Sequence, residues 1–383
     1  MPKFIIFFLV FFILSNNNIF ITFANNKNIN IEAQGAILMD FKTGRILYSK
    51  DADKPLAMAS TTKIMTAIIA LEKGNLEDIV KVSKNATKAP PVKMHLKENE
   101  EIKLKDLLYA LMLQSSNDAA VAIAEHISGD VDTFCNMMTE KAKELGAKDT
   151  VFRTPNGLDD LDHHSTAYDM AIIARYALNN KQFMDIINTT QVSFKTNKAT
   201  YDIINKNRLL SEYEGANGVK TGYTGKAGHC FVGSATKGDM TLISVVLASG
   251  WGDKGKKQKW IDTKTLLNYG FENFSYKNIL NNTDISNTIL VEKGEKDNAS
   301  LYYENDIILP LSKDEENKIS IKLDYIKTIK APVKENEKVG VANIYLDNNL
   351  LAQTNILTKE AIDKKTFNSY INDIFENWIN ILN

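Results

Sequence analysis

Strand-like segments at both ends of a long helical block are the strongest constraint on how this chain can fold. Residues 31–50 read as a hairpin, with Ala36–Phe41 and Arg45–Lys50 meeting at a turn that holds Lys42-Thr43-Gly44. Residues 61–180 carry mostly helical apolar spacing. From Tyr213 to Gly250 the pattern returns to strand, with Cys230–Ala235 and Met240–Leu247 flanking a Lys-Gly-Asp turn. A helix over Gln258–Tyr269 closes the segment. Strands separated by so many helices must bury one face each in a common core. The expectation is α+β, with an antiparallel sheet flanked by helices.

Within that frame, Ser60-Thr61-Thr62-Lys63 sits where strand gives way to helix. A serine hydroxyl is a poor nucleophile at neutral pH and needs a base within hydrogen-bond reach. Residues three apart on a helix share a face, so Lys63 can aim its amine at Ser60. Met65, Ile68, Ile69 and Leu71 supply the helical pattern behind it. A second match, Ser234…Lys237, lies in a strand, where i and i+3 point to opposite faces. Two further signals follow in order. Ser115-Ser116-Asn117 joins the apolar helix Leu104–Leu113 to the small-residue helix Ala119–Ile127. Lys220-Thr221-Gly222 then opens the run Tyr223–Ser234. Each alone has a bland alternative: Ser60 and Asn117 as helix caps, Lys220 as a solvated edge residue.

The ordered triple is the signature of penicillin-recognising serine enzymes. Its surroundings, Ala59–Thr66, Leu113–Ala120, Gly218–Thr224, Pro155–Leu158 through His164–Met170, and Leu266–Phe271, resemble serine-type D-alanyl-D-alanine carboxypeptidases, the low-molecular-mass penicillin-binding proteins. The resemblance is strong over residues 30 to 275 and weaker beyond. It implies a five-stranded sheet with helices on both sides. It also implies Ser60 as nucleophile, Lys63 as its base, Ser115 as proton relay, and Asn117 as holder of Lys63 and the substrate amide. Lys220 and Thr221 would bind the substrate carboxylate, and Gly222 would leave room for its backbone. The N–H groups of Ser60 and Tyr223 would form the oxyanion hole. Lys63 must then be neutral, and burial beside Lys220 would lower its proton affinity. Ser116 stands where glycine or alanine is common in the family, a small and tolerable change. Implied partners are peptidoglycan stem peptides and β-lactam inhibitors, with no metal or organic cofactor. Endopeptidase and transpeptidase activity share the acyl-enzyme and stay open, as does a catalytically silent wall-binding protein. A β-lactamase is disfavoured by the absence of a Glu-x-x-Leu-Asn deacylation loop.

Net charge is −1, which gives no electrostatic case for nucleic acid. The basic cluster Lys254, Lys256, Lys257 and Lys259 reads as a solvated loop and helix start. Residues 1–24 read as a signal peptide, with Lys3, the apolar run Phe4–Leu14 and cleavage after Ala24. An uncleaved anchor is the alternative. The expected location is outside the cytoplasmic membrane. Cys135 and Cys230 are expected to be buried free thiols, since nothing in the sequence brings them together. The loop Asp159, Asp160, Asp162, His163, His164 is expected to border the site, tied down by His164 and Asp169, rather than to hold a metal. Residues 280–357 read as a small all-β module. In the last segment, 360–383, Phe367, Tyr370, Ile371, Ile374, Phe375, Trp378 and Leu382 fall at helical spacing. This helix is expected to lie on a membrane surface, with packing against the β module as the alternative.

Overall fold

The computed structural model describes residues 29–382. The expected leader, 1–24, lies outside them. Two compact units divide at Ser275/Tyr276.

The first unit is built on a five-stranded antiparallel sheet. Its strands are β1 (Gly35–Asp40), β2 (Ile46–Lys50), β3 (Ala216–Thr224), β4 (Gly228–Lys237) and β5 (Met240–Leu247). The order across the sheet is β2-β1-β5-β4-β3, so β3 is an edge. β1 joins β5 in the register Ala36↔Val246 and Leu38↔Ser244. Nearly every residue of β1, β4 and β5 is buried, as expected where both faces of a sheet are covered. The main helices are α1 (Lys63–Lys73), α2 (Asn117–Ser128), α3 (Val131–Glu144), α4 (Ala167–Leu178) and α5 (Gly252–Asn273). α4 and α5 pack on the sheet, and α1 to α3 pack together beside it.

Local chemistry sets several helix ends. Asp130 caps α3 through Thr133 N, and Thr166 caps α4 through Asp169 N. Asp169 in turn accepts from Asp149 N and Thr150 Oγ1, which ties the preceding loop to α4. α5 starts six residues earlier than the sequence suggests. Lys254, Lys256 and Lys257 are exposed on its first turns, where solvated residues obscure the apolar period. The small hairpin Gln191–Lys195/Thr200–Ile204 gave no clear signal, because its two faces are only partly buried.

Cys135 and Cys230 are free and buried. Burial pushes both thiols up to about 12. A maleimide reagent at pH 8 is therefore expected to leave both unlabelled in the folded protein and to label both after denaturation. Fast labelling of either in the native state would contradict this packing.

In the second unit a six-stranded sheet runs in the order Ile319–Tyr325, Lys338–Leu346, Asn349–Thr358, Asn298–Tyr303, Asp284–Glu292, Thr328–Lys330. Leu301, Ala342, Ile344 and Ile356 lie in its core. The last element is α6 (Phe367–Leu382). Among the described residues no helix is long and apolar enough to cross a membrane.

Candidate active site

The expected nucleophile sits on a tight turn. Ala59–Thr62 is one turn of 3-10 helix and α1 begins at Lys63, so Ser60 precedes the α-helix proper. Ala59 has a positive φ of 48°. The Lys63 side chain is fully buried, with Nζ 2.9 Å from Ser60 Oγ. The same nitrogen lies 2.8 Å from Asn117 Oδ1 and 2.6 Å from the Asn156 carbonyl oxygen.

Those three partners can be satisfied by either form of the amine. A neutral lysine has two N–H donors and one lone pair, whereas the ammonium has three donors and none. The Asn117 and Asn156 oxygens can only accept, and they use both donors. In the neutral form the lone pair is then left for the Ser60 hydroxyl, whereas in the ammonium the third donor goes to Ser60 Oγ, whose own proton faces the Asn156 carbonyl. Asn117 cannot present its other end, because Nδ2 donates to the Pro90 and Pro91 carbonyls at 3.1 and 3.0 Å. Burial is the largest cause holding Lys63 well below the usual lysine range, and the Lys220 charge adds to it. Lys220 is itself buried and lowered to about 7, first by burial and then by Lys259 and Lys206. Its Nζ donates to the Thr221 carbonyl at 3.1 Å.

β3 passes directly beside the turn. A Cβ on Gly222 would lie 3.0 Å from Ser60 N and 3.1 Å from the Met58 carbonyl oxygen, so glycine lets the strand and the turn approach this closely without one giving way by a few tenths of an ångström. Thr221 is half-buried and Tyr223 exposed, stacked on His229 with ring centroids 4.3 Å apart. Ser115 closes a π-helical turn, Ala110–Gln114, with a left-handed φ of 67°, two residues before Asn117. It is half-buried.

Sequence reasoning marked Pro155–Leu158 only as part of the resemblance and missed the role of the Asn156 carbonyl. Besides contacting Lys63, that oxygen lies 3.3 Å from Ser60 Oγ. The Pro155 carbonyl accepts from Thr66 Oγ1 at 2.5 Å. Pro155-Asn156-Gly157 has the look of a turn, but a main-chain oxygen carries no residue-type signature. Both expected anchors of the following loop are in place, Asp169 through Asp149 N and Thr150 Oγ1 and His164 through its main-chain pairing with Val151. The His164 ring, however, is partly exposed beside Asp162, and the buried ring is His163.

A serine held by a buried amine, beside an asparagine and an edge strand that carries Lys-Thr-Gly, defines the class: penicillin-binding serine enzymes. The sequence profile of the D-alanyl-D-alanine carboxypeptidase family matches residues 22–250, and that of the penicillin-binding protein 5 C-terminal domain matches residues 274–364. The chain belongs to the D-alanyl-D-alanine carboxypeptidase family, and its activity is that of a serine D-Ala-D-Ala carboxypeptidase. It is 33% identical to D-alanyl-D-alanine carboxypeptidase DacF of Bacillus subtilis, over 91% of this chain and 90% of that one. It is 32% identical to DacA of Escherichia coli K12, over 91% and 89%. Penicillin-binding protein 5 of Haemophilus influenzae superposes with a TM-score of 0.76 at 31% identity, covering 89% of this chain and all of that one.

Proposed function

We propose that Ser60 carries the acyl group when this enzyme trims the terminal D-alanine from peptidoglycan stem peptides, with Lys63 as its base. The observation that carries the reading is the Lys63 amine, buried and shared between Ser60 Oγ, Asn117 Oδ1 and the Asn156 carbonyl. Lys63 takes the Ser60 proton as Oγ attacks the carbonyl carbon of the penultimate D-alanine. The Ser60 and Tyr223 N–H groups stabilise the oxyanion. The C–N bond then breaks, and Ser115 relays the proton taken up by Lys63 to the departing D-alanine amine. Water then attacks the ester carbon, and its proton passes through Lys63 to Ser60 Oγ as the acyl–oxygen bond breaks. Lys220 and Thr221 hold the substrate carboxylate, and Asn117 holds its amide. Penicillin acylates Ser60 in the same way, since its strained amide mimics the D-Ala-D-Ala bond.

The same reading places the enzyme outside the cytoplasmic membrane after removal of residues 1–24, with α6 lying on the membrane surface. Phe367, Ile374, Phe375 and Trp378 are exposed on that helix, which suits an interfacial seat rather than a span.

The deciding experiment compares D-alanine release from a peptide ending in D-Ala-D-Ala for wild type and Ser60→Ala. Release that falls by about 10^4-fold or more in the variant supports the assignment. Comparable release from both would remove Ser60 as nucleophile.

A further inference from the structure

The two adjacent histidines of the loop after Asn156 have different fates. His164 lies 3.3 Å from Asp162 with part of its ring in solvent. His163 is 4% exposed and meets the Phe152 ring edge-on at 6.0 Å. Both of its nitrogens are engaged. Arg153 N–H donates to Nδ1 at 2.9 Å, so Nδ1 carries no hydrogen. The proton must then sit on Nε2, which lies 3.0 Å from Thr62 Oγ1 and donates to it. Thr62 is fully buried and stands between Ser60 and Lys63 in the nucleophile turn.

We propose that His163 is a positioning residue for the acylation step: it fastens the loop 152–165 to the nucleophile turn through Thr62 and so holds the Asn156 carbonyl against the Lys63 amine. The inference rests on the assignment of Ser60 and Lys63 above. Further contacts bring the loop to this turn and to α1, and each involves the loop's main chain. They are the Asn156 carbonyl on Lys63 and Ser60, the Pro155 carbonyl on Thr66, Gly157 against Ala59, and the Leu56–Ser165 backbone pair just before the turn. His163 is the side chain that closes the loop's far end onto the same turn. If the loop drifts, Lys63 loses one of the two acceptors that fix its rotation. Its lone pair is then no longer held toward Ser60.

The charges facing His163 come from Asp159, Asp160, His164 and Lys226, with Arg153 and Asp162 paired to each other nearby. Burial outweighs the carboxylates and lowers the ring to about 4, so it is neutral through the working range. A second proton, on Nδ1, would face the Arg153 N–H and break that bond.

The test uses Thr62→Val, which removes the hydroxyl at nearly constant volume, with His163→Gln and His163→Leu beside it. Acylation by a fluorescent penicillin is followed for rate and for the final fraction of sites labelled. Thr62→Val and His163→Leu are expected to slow acylation about 10-fold or more, at an unchanged final fraction. His163→Gln keeps an N–H within reach of Thr62 and should recover much of the rate. The double variant Thr62→Val/His163→Leu should be no slower than either single one. Losing an acceptor disfavours the charged amine most, so the acid limb of the rate profile should move to lower pH in the slow variants. Wild-type rate and profile in Thr62→Val would overturn the proposal, as would a loss confined to the fraction labelled. If wild-type Ser60 itself fails to label, the Ser60 assignment fails instead, which is a different result.

Discussion

Lys63→Met is expected to slow penicillin acylation of Ser60 by about 10^3-fold or more while the protein stays folded. Methionine follows the path of the buried lysine stem and brings no charge, so it suits a site that is fully buried. It cannot take a proton. The Asn117 oxygen and the Asn156 carbonyl lose their shared donor, which costs stability on the order of 1–3 kcal/mol per orphaned group. Relief from burying an amine offsets part of that. Labelling rate and thermal midpoint, read on the same preparation, separate the two effects. In the wild type the rate should rise with pH as the neutral fraction of Lys63 grows, because burial and Lys220 lower its proton affinity. A variant that labels at near wild-type rate would show that another group takes the Ser60 proton.

Gly157→Ala should be nearly as damaging, by another route. Gly157 has a φ of +82°, and an added Cβ would lie 2.0 Å from the Ala59 carbonyl oxygen, 2.4 Å from its carbon and 2.9 Å from Ser60 N. All three are main-chain atoms of the Ser60 turn, and none can rotate away. The expected cost is above about 3 kcal/mol, with acylation falling in the molecules that do fold. Gly146→Ala is the control. Its φ is +90°, but nothing lies within 4 Å of the new Cβ, so it carries the conformational cost alone, about 1 kcal/mol. The difference between their denaturation midpoints measures the collision. Equal midpoints would mean that the loop is not seated on the turn.

What the sequence makes readable follows from what is encoded in side chains. The sheet and its flanking helices could be read because β1, β4 and β5 are apolar throughout and α1 repeats its apolar residues at helical spacing. Ser60, Lys63, Asn117 and Lys220 are marked by residue type and spacing. The Asn156 carbonyl is not, since every residue has one. Nor does a pair of adjacent histidines say which ring turns inward. That choice depends on Thr62, 101 positions away from His163. The start of α5 was blurred because exposed lysines suit a loop and a helix equally.

The sheet order also bears on how the chain comes to be folded. β1 has β2 on one side, and its other partner, β5, is complete only at Leu247. As the polypeptide is synthesised, the first hairpin must wait through about 200 further residues for the strand that fixes it, at a rate that makes this wait roughly 10 to 40 seconds. Pairing at such sequence separation is slow to nucleate. Until then Ile37 and Met39 have no sheet to join. A strand that emerges late, ahead only of α5, therefore completes the first, and a nascent chain cut short before residue 247 is expected to carry the Ser60 turn without a finished sheet to support it.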